Sequence, residues 1–217
     1  MKGNLFFSKC NKKAKNMIYY AYQLLFKTDE EERMDTVLEA RYNASDVANY
    51  LLYLFQYDED GLSNLKINKL LYYAQGFSFQ RLGKPLFKET IQAWEHGPVV
   101  PSVYRQFKDY EAQRIPYDAD TILPSLSPEE EQLLIDLVRE YGCFTGAKLR
   151  NMTHRVNTPW QKVYTGERNV DIPLESIQEY FTSTETRLPS FELSFDPSDF
   201  VGYRNDDNVL VVPVEYK

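Results

Sequence analysis

Hydrophobic residues recur along most of the chain at three- and four-residue spacing, the pattern of helices that bury one side. Between Lys12 and Phe26 the repeat is Met17, Tyr20, Ala21, Leu24 and Leu25. A second helix, read as capped by Ser45, buries Val47, Ala48, Leu51, Leu54 and Phe55 and ends near Asp58. The most strongly patterned helix follows Ser63, carries Ile67, Leu70, Leu71, Ala74 and Phe77, and stops at Gly83 ahead of Lys84 and Pro85. Pro101 suits the first turn of a short helix through Phe107, where its missing amide donor costs nothing. Ser127, Pro128 and Glu130 spell a capping box in front of Leu133, Leu134, Leu137, Val138 and Tyr141. Thr145 and Thr158 cap two further short helices, and Pro173 opens a last one through Phe181.

The period shortens to two in only a few places. Residues Glu89 to Glu95, with Thr90, Ile91 and Trp94, predict a short strand before a turn at Gly97 and Pro98. After Arg187, Phe191, Leu193 and Phe195 alternate with polar neighbours, and Asn205 to Asn208 supply turn residues ahead of a strand within Val209 to Val214. Pro213 confines that strand to an edge, and an edge can pair with another chain. The long connection from Ile115 to Leu126 is a loop. The expected fold is therefore mainly α with a small β element. It divides into an N-terminal extension with one amphipathic helix (1–44), a helical domain (45–182) and a short C-terminal β sheet or hairpin (183–217).

Composition adds that the fold can bury a core: 43% of the 217 residues are hydrophobic, with 17 Tyr and 13 Phe. A net charge of −7 disfavours a nucleic-acid partner, which needs a surplus of Lys and Arg. The charge is uneven, however, since residues 1 to 27 hold Lys2, Lys9, Lys12, Lys13, Lys15 and Lys27 and no acid. Asp29 to Arg33 reads as a charged linker, and Met34 is a candidate second translation start. Cys10 and Cys143 are too few for a disulfide framework or a structural zinc site. No apolar run approaches the roughly 20 residues that span a bilayer. A cytoplasmic protein without a membrane segment is expected.

Catalytic chemistry is sparse. His96 and His154 are the whole stock of groups that titrate near neutrality unperturbed, and Glu95 beside His96 would face the other way on a strand. Gly61, Gly76 and Gly83 do not form a phosphate-binding loop, no serine sits in a nucleophile elbow, and Cys143 lacks an activating neighbour. Glu129, Glu130 and Glu131 suit the first turn of their helix better than a metal. No cofactor, metal or catalytic residue is expected, although a hydrolase built on either histidine is an alternative. Tyr72 and Tyr73 suit a half-buried or protein-contact role.

NLKINKLLYYAQGFSFQRLGKPLF (64–87) followed by IQAWEHGPVVPSVYRQFK (91–108) resembles the Panacea (SocA-like) antitoxin domain. Similarity continues in ASDVANYLL (44–52), LSPEEEQLLIDLVREYG (126–142) and LRNMTHRVNTPWQKV (149–163), so that it spans about 45–182. The resemblance implies a mostly helical fold, found in bacterial and phage antitoxins that neutralise unrelated toxins by direct binding, in some members by delivery to a protease. It thus implies a cognate protein toxin as partner. Contacts that choose the toxin are expected in the flanks, and the candidate partner-binding residues are Tyr20, Leu24, Tyr72, Tyr73, Phe191, Phe195, Tyr203 and Tyr216. The acidic tail with Glu192, Asp196, Asp199, Asp206, Asp207 and Glu215 complements a basic toxin surface. The alternatives are a proteolytic adaptor and a DNA-binding regulator acting through the basic N-terminus.

Overall fold

A computed structural model describes residues 40–167, 169–183 and 188, and the backbone of residues 203–204 and 210–211. The helices are α1 (Ala44–Leu54), α2 (Asn64–Leu82), α3 (Pro101–Phe107), α4 (Pro128–Tyr141), α5 (Gly146–Thr153), α6 (Pro159–Val163) and α7 (Leu174–Ser183). The strands are β1 (Ile91–Trp94), β2 (Gly97–Val99), β3 (Val170–Ile172), β4 (Tyr203–Arg204) and β5 (Leu210–Val211). The expected mainly α fold with a small β element is what forms. The predicted helix from Lys12 to Phe26 and the candidate start at Met34 lie outside the described residues.

Helix α2 organises the rest. It is packed by α4, α5 and α7, touches α1, α3 and β2, and buries fifteen of its nineteen residues. Its apolar repeat marks a buried side correctly, but the helix has almost no solvent side. Polar residues are therefore carried inside, where burial favours a partner for each, although the Tyr72 hydroxyl has none among the described residues. Gln75 accepts from the Leu86 and Phe87 amides at 2.9 and 3.1 Å and donates to the Phe87 carbonyl at 3.1 Å. Asn68 accepts from the Val100 amide at 2.9 Å, and Ser78 donates to the Lys84 carbonyl at 2.8 Å. These side chains thread the irregular segment 84–100 onto the helix. Ser63 caps its start, accepting from the Lys66 amide at 3.4 Å, and Gly83 ends it at φ 71°.

Two boundaries differ from the sequence expectation. Helix α1 is capped by Asn43, whose amide donates to Asp46 Oδ2 at 2.9 Å, so Ser45 lies inside the helix and bonds Gln106 Oε1 instead. The Asn43 to Asp46 spacing is itself a capping box, and it moves the helix start back. The hairpin turn falls at Glu95 and His96, because Gly97 and Pro98 pair with Trp94 and Ala93 as part of β2. Strand β1 also pairs antiparallel with β3, matching Ile91 to Ile172, which gives the order β2-β1-β3. In the C-terminal part β4 pairs antiparallel with β5, Tyr203 opposite Val211.

Helix α4 begins as its capping box requires: the Ser127 amide donates to Glu130 Oε2 at 2.9 Å and Ser127 Oγ accepts from the Glu130 amide at 3.3 Å. Glu130 is buried and also receives Lys84 Nζ and Tyr42 Oη, each at 2.7 Å. Burial alone would push its carboxyl up, but the bonds from Lys84, Ser127 and Tyr42 outweigh it and hold the group below its ordinary value. A depressed carboxyl contributes stability above its unfolded pKa, which is lost as pH falls through the folded value. Glu130→Gln should therefore cost about 3 kcal/mol near neutrality and less in acid, a convergence with wild type that urea unfolding between pH 7 and 3 reads directly.

Helices α2 and α7 approach at Gly76, where a Cβ would lie 2.3 Å from the Phe181 ring. Gly76→Ala should destabilise the fold by roughly 2 kcal/mol through overpacking, despite the better helix propensity of alanine. Thermal melts of that variant alone and with Phe181→Leu check this, since the smaller partner should recover part of the loss.

Candidate functional site

Two of the tyrosines expected to contact a partner, Tyr72 and Tyr73, are core residues. Tyr72 and Tyr73 retain 1% and 7% of their surface, with Tyr72 5.5 Å from the Phe181 ring and Tyr73 4.8 Å from Tyr141. Adjacent helix positions normally point in different directions, but α2 is enclosed on all sides, so both rings end inside. That part of the expectation is corrected. Tyr20, Leu24, Phe191, Phe195 and Tyr216 lie outside the described residues, and of Tyr203 only the backbone in β4 is described.

The most concentrated chemistry lies where the β1–β2 hairpin meets α2 and α5. Gly97 has φ 95°, and a Cβ there would stand 2.7 Å from Thr153 Oγ1 and 2.9 Å from Lys69 Cε. Only glycine fits both the conformation and the space. Behind it, Lys69 is fully buried and donates to the Pro98 carbonyl at 2.7 Å. Thr158 Oγ1 donates to the Thr153 carbonyl at 2.7 Å, tying the start of α6 to the end of α5. Trp160 Nε1 reaches the Trp94 carbonyl at 2.8 Å, and its indole stacks on His154 at 3.6 Å and on Tyr164 at 4.6 Å.

The electrostatics of this junction are one-sided. Burial, then the Arg150 charge, lowers the Lys69 ammonium to about 7. Burial lowers His154 to about 4, with Arg150, Lys69 and His96 acting in the same direction. No carboxylate contributes to either shift. Arg150 Nε and His154 Nε2 are buried without a hydrogen-bond partner. A histidine this acidic, stacked on an indole and lacking a carboxylate to orient it, is a poor general base at neutral pH. Cys143 is exposed, with Sγ 3.9 Å from the Glu140 carbonyl. Among the described residues no three His, Cys, Asp or Glu side chains gather as a metal site, and no helix is long and apolar enough to cross a membrane.

Sequence pattern offers His154 only as a candidate hydrolase histidine and gives Lys69 no role. A polar line of Asn64, Asn68 and Gln75 along the longest helix is the available sign that its polar side is covered too. Apolar groups do reach solvent elsewhere: Tyr104, 39% exposed, packs edge-on against Trp94 at 4.8 Å, and Ile122 in the long loop is 93% exposed.

A fully enclosed helix that carries a β-hairpin and ties it down by side-chain bonds defines a mainly helical domain with a small antiparallel sheet. Residues 67–161 match the family model described as Antitoxin SocA-like, Panacea domain, a span that includes Lys69, His96, Arg150 and His154. Antitoxin SocA of Caulobacter vibrioides is 31% identical over 134 residues, covering 57% of this chain and 71% of that protein. The chain belongs to the SocA-like, Panacea-domain family. No solved structure matches it.

Both lowered groups predict stability that rises with pH. For a group whose folded pKa lies below its unfolded one, the unfolded chain binds the proton more readily, so stability is lost as pH falls through the folded value. His154 contributes between about 6.5 and 4, and Lys69 between 10.5 and about 7. Melting temperature should climb from pH 7 to 9, and Lys69→Met should flatten that climb while leaving the acid limb in place.

Proposed function

We propose that this protein is the antitoxin of a toxin–antitoxin pair, acts in the cytoplasm, and neutralises its toxin by binding it directly rather than by catalysis. The observation that carries the reading is the 31% identity with Antitoxin SocA across 71% of that protein. The junction at His154 supports it from the chemical side, because a histidine lowered to about 4 without an orienting carboxylate does not suit a hydrolase.

The family framework at 67–161 holds most of the packed core, and on that ground we assign toxin choice to the flanks beyond it. The N-terminal segment with Tyr20 and Leu24 and the acidic tail with Phe191, Phe195, Tyr203 and Tyr216 are the proposed contacts. Aromatic anchors supply most of the affinity at such interfaces, and the tail carboxylates would steer a basic partner.

Expression of the toxin encoded beside this chain should arrest growth, and co-expression of the antitoxin should restore it, with the two proteins co-purifying. Tyr20→Ser together with Leu24→Ser should weaken binding at least tenfold, or about 1.4 kcal/mol, with the fold intact by circular dichroism. Rescue without co-purification, lost in a protease-deficient host, would replace occlusion by delivery to a protease. Absence of both rescue and binding would remove the antitoxin reading.

A further inference from the structure

Elsewhere in this fold two cations drawn toward the core meet carboxylates of the same chain, and a third, Lys66, lies over the Phe55 ring at 4.7 Å. Arg81 at the end of α2 pairs with the fully buried Asp136 at 2.7 Å, and Lys84 pairs with the buried Glu130 at 2.7 Å. The junction between α2, α5 and the hairpin breaks that pattern. Lys69 is completely buried, yet its only described bond is to the Pro98 carbonyl, although an ammonium carries three donors. Among the described residues Arg150 Nε and His154 Nε2 are buried with no partner, and Arg150 Nη1 makes only a long 3.3 Å bond to its neighbour Asn151. Lys69 Nζ and Thr153 Oγ1 both approach Gly97, 3.1 and 2.7 Å from where its Cβ would stand. A buried charge with no counter-charge is costly, and native structures tolerate such arrangements chiefly where something binds.

We propose that Lys69, Arg150 and His154 form a binding site for an oxyanion, a phosphate or carboxylate group supplied from outside the described chain. The chemistry fits: the guanidinium provides charge-assisted donors, a ring N–H of His154 adds a directional one, and the ammonium adds positive charge, while the Thr153 hydroxyl is taken by the Arg150 carbonyl at 2.7 Å. Arg150 and His154 are partly exposed, so the group enters from the α5 side, and the fully buried Lys69 attracts it by charge from behind. An arriving anion supplies the negative charge that Asp136 and Glu130 supply to Arg81 and Lys84. Trp160, stacked on His154, reports the event. The proposal does not rest on the antitoxin reading, since the chain alone carries the site.

The test titrates the full-length protein with sodium phosphate and, separately, sodium acetate, against sodium chloride at matched ionic strength. Tryptophan fluorescence and melting temperature are the readouts. A saturable response beyond chloride, weakened at least tenfold in Arg150→Gln and in His154→Asn, is expected. Response to phosphate alone assigns a phosphate group; response to acetate alone assigns a carboxylate, such as an acidic side chain of a partner. No saturable response to either anion overturns the proposal, as does an undiminished response in both folded variants. Lys69→Met gives a third check if it folds, and the other two, at partly exposed positions, decide the matter if it does not.

Discussion

A helix with fifteen of its nineteen residues buried presses its polar side chains to find partners, and although the Tyr72 hydroxyl finds none among the described residues, that pressure builds the domain. The backbone of residues 84–100 has few regular partners of its own, being a turn, a short bridge and a hairpin. Gln75, Asn68, Ser78 and Lys69 supply what is missing, each from α2 and each to a backbone group of that segment. Helix and segment therefore specify one another. A purely apolar α2 would leave the carbonyls of Lys84, Phe87 and Pro98 stranded in the core, whereas a solvated α2 would have no reason to carry four such residues.

The aromatic rings do the complementary work. Tyr73, Phe77, Tyr141 and Phe181 meet at 4.8 to 6.2 Å across three helices, and Gly76 lets α7 close onto them. Rings bury large areas in fixed geometries, so the high tyrosine content is spent largely on packing in the described residues. The proposed oxyanion site begins one turn closer to the start of α2, at Lys69, where aromatic packing gives way to charge.

Legibility in the sequence followed interaction range. Caps at Ser63, Ser127, Thr145 and Thr158 were readable because donor and acceptor sit three residues apart. The same rule, applied to Asn43 and Asp46, would have placed the start of α1 correctly had Ser45 not competed for the role. Strand β3 was invisible, because its reason to exist is β1, some eighty residues away, and three residues carry too little periodicity to declare themselves. Tyr72, Tyr73 and Lys69 were misjudged or passed over for one cause. Local pattern shows which side of a helix is apolar; it does not show that three other helices cover the remainder. The motif pairs at 64–87 and 91–108, by contrast, carried the family in the sequence alone, and the match over 67–161 falls on them.

The closing of α7 over Gly76 has a consequence for how the molecule comes into being. Helix α2 leaves the ribosome early, but Phe181, which covers it, and Ile172, which completes the sheet, are added only some hundred residues later. During that interval a nineteen-residue helix rich in Tyr, Phe and Leu has no lid. At ordinary synthesis rates of roughly 5–20 residues per second the exposure lasts several seconds, long compared with helix formation and with chaperone or protease encounters. Elongation and capture by other proteins therefore compete for as long as α2 is uncovered.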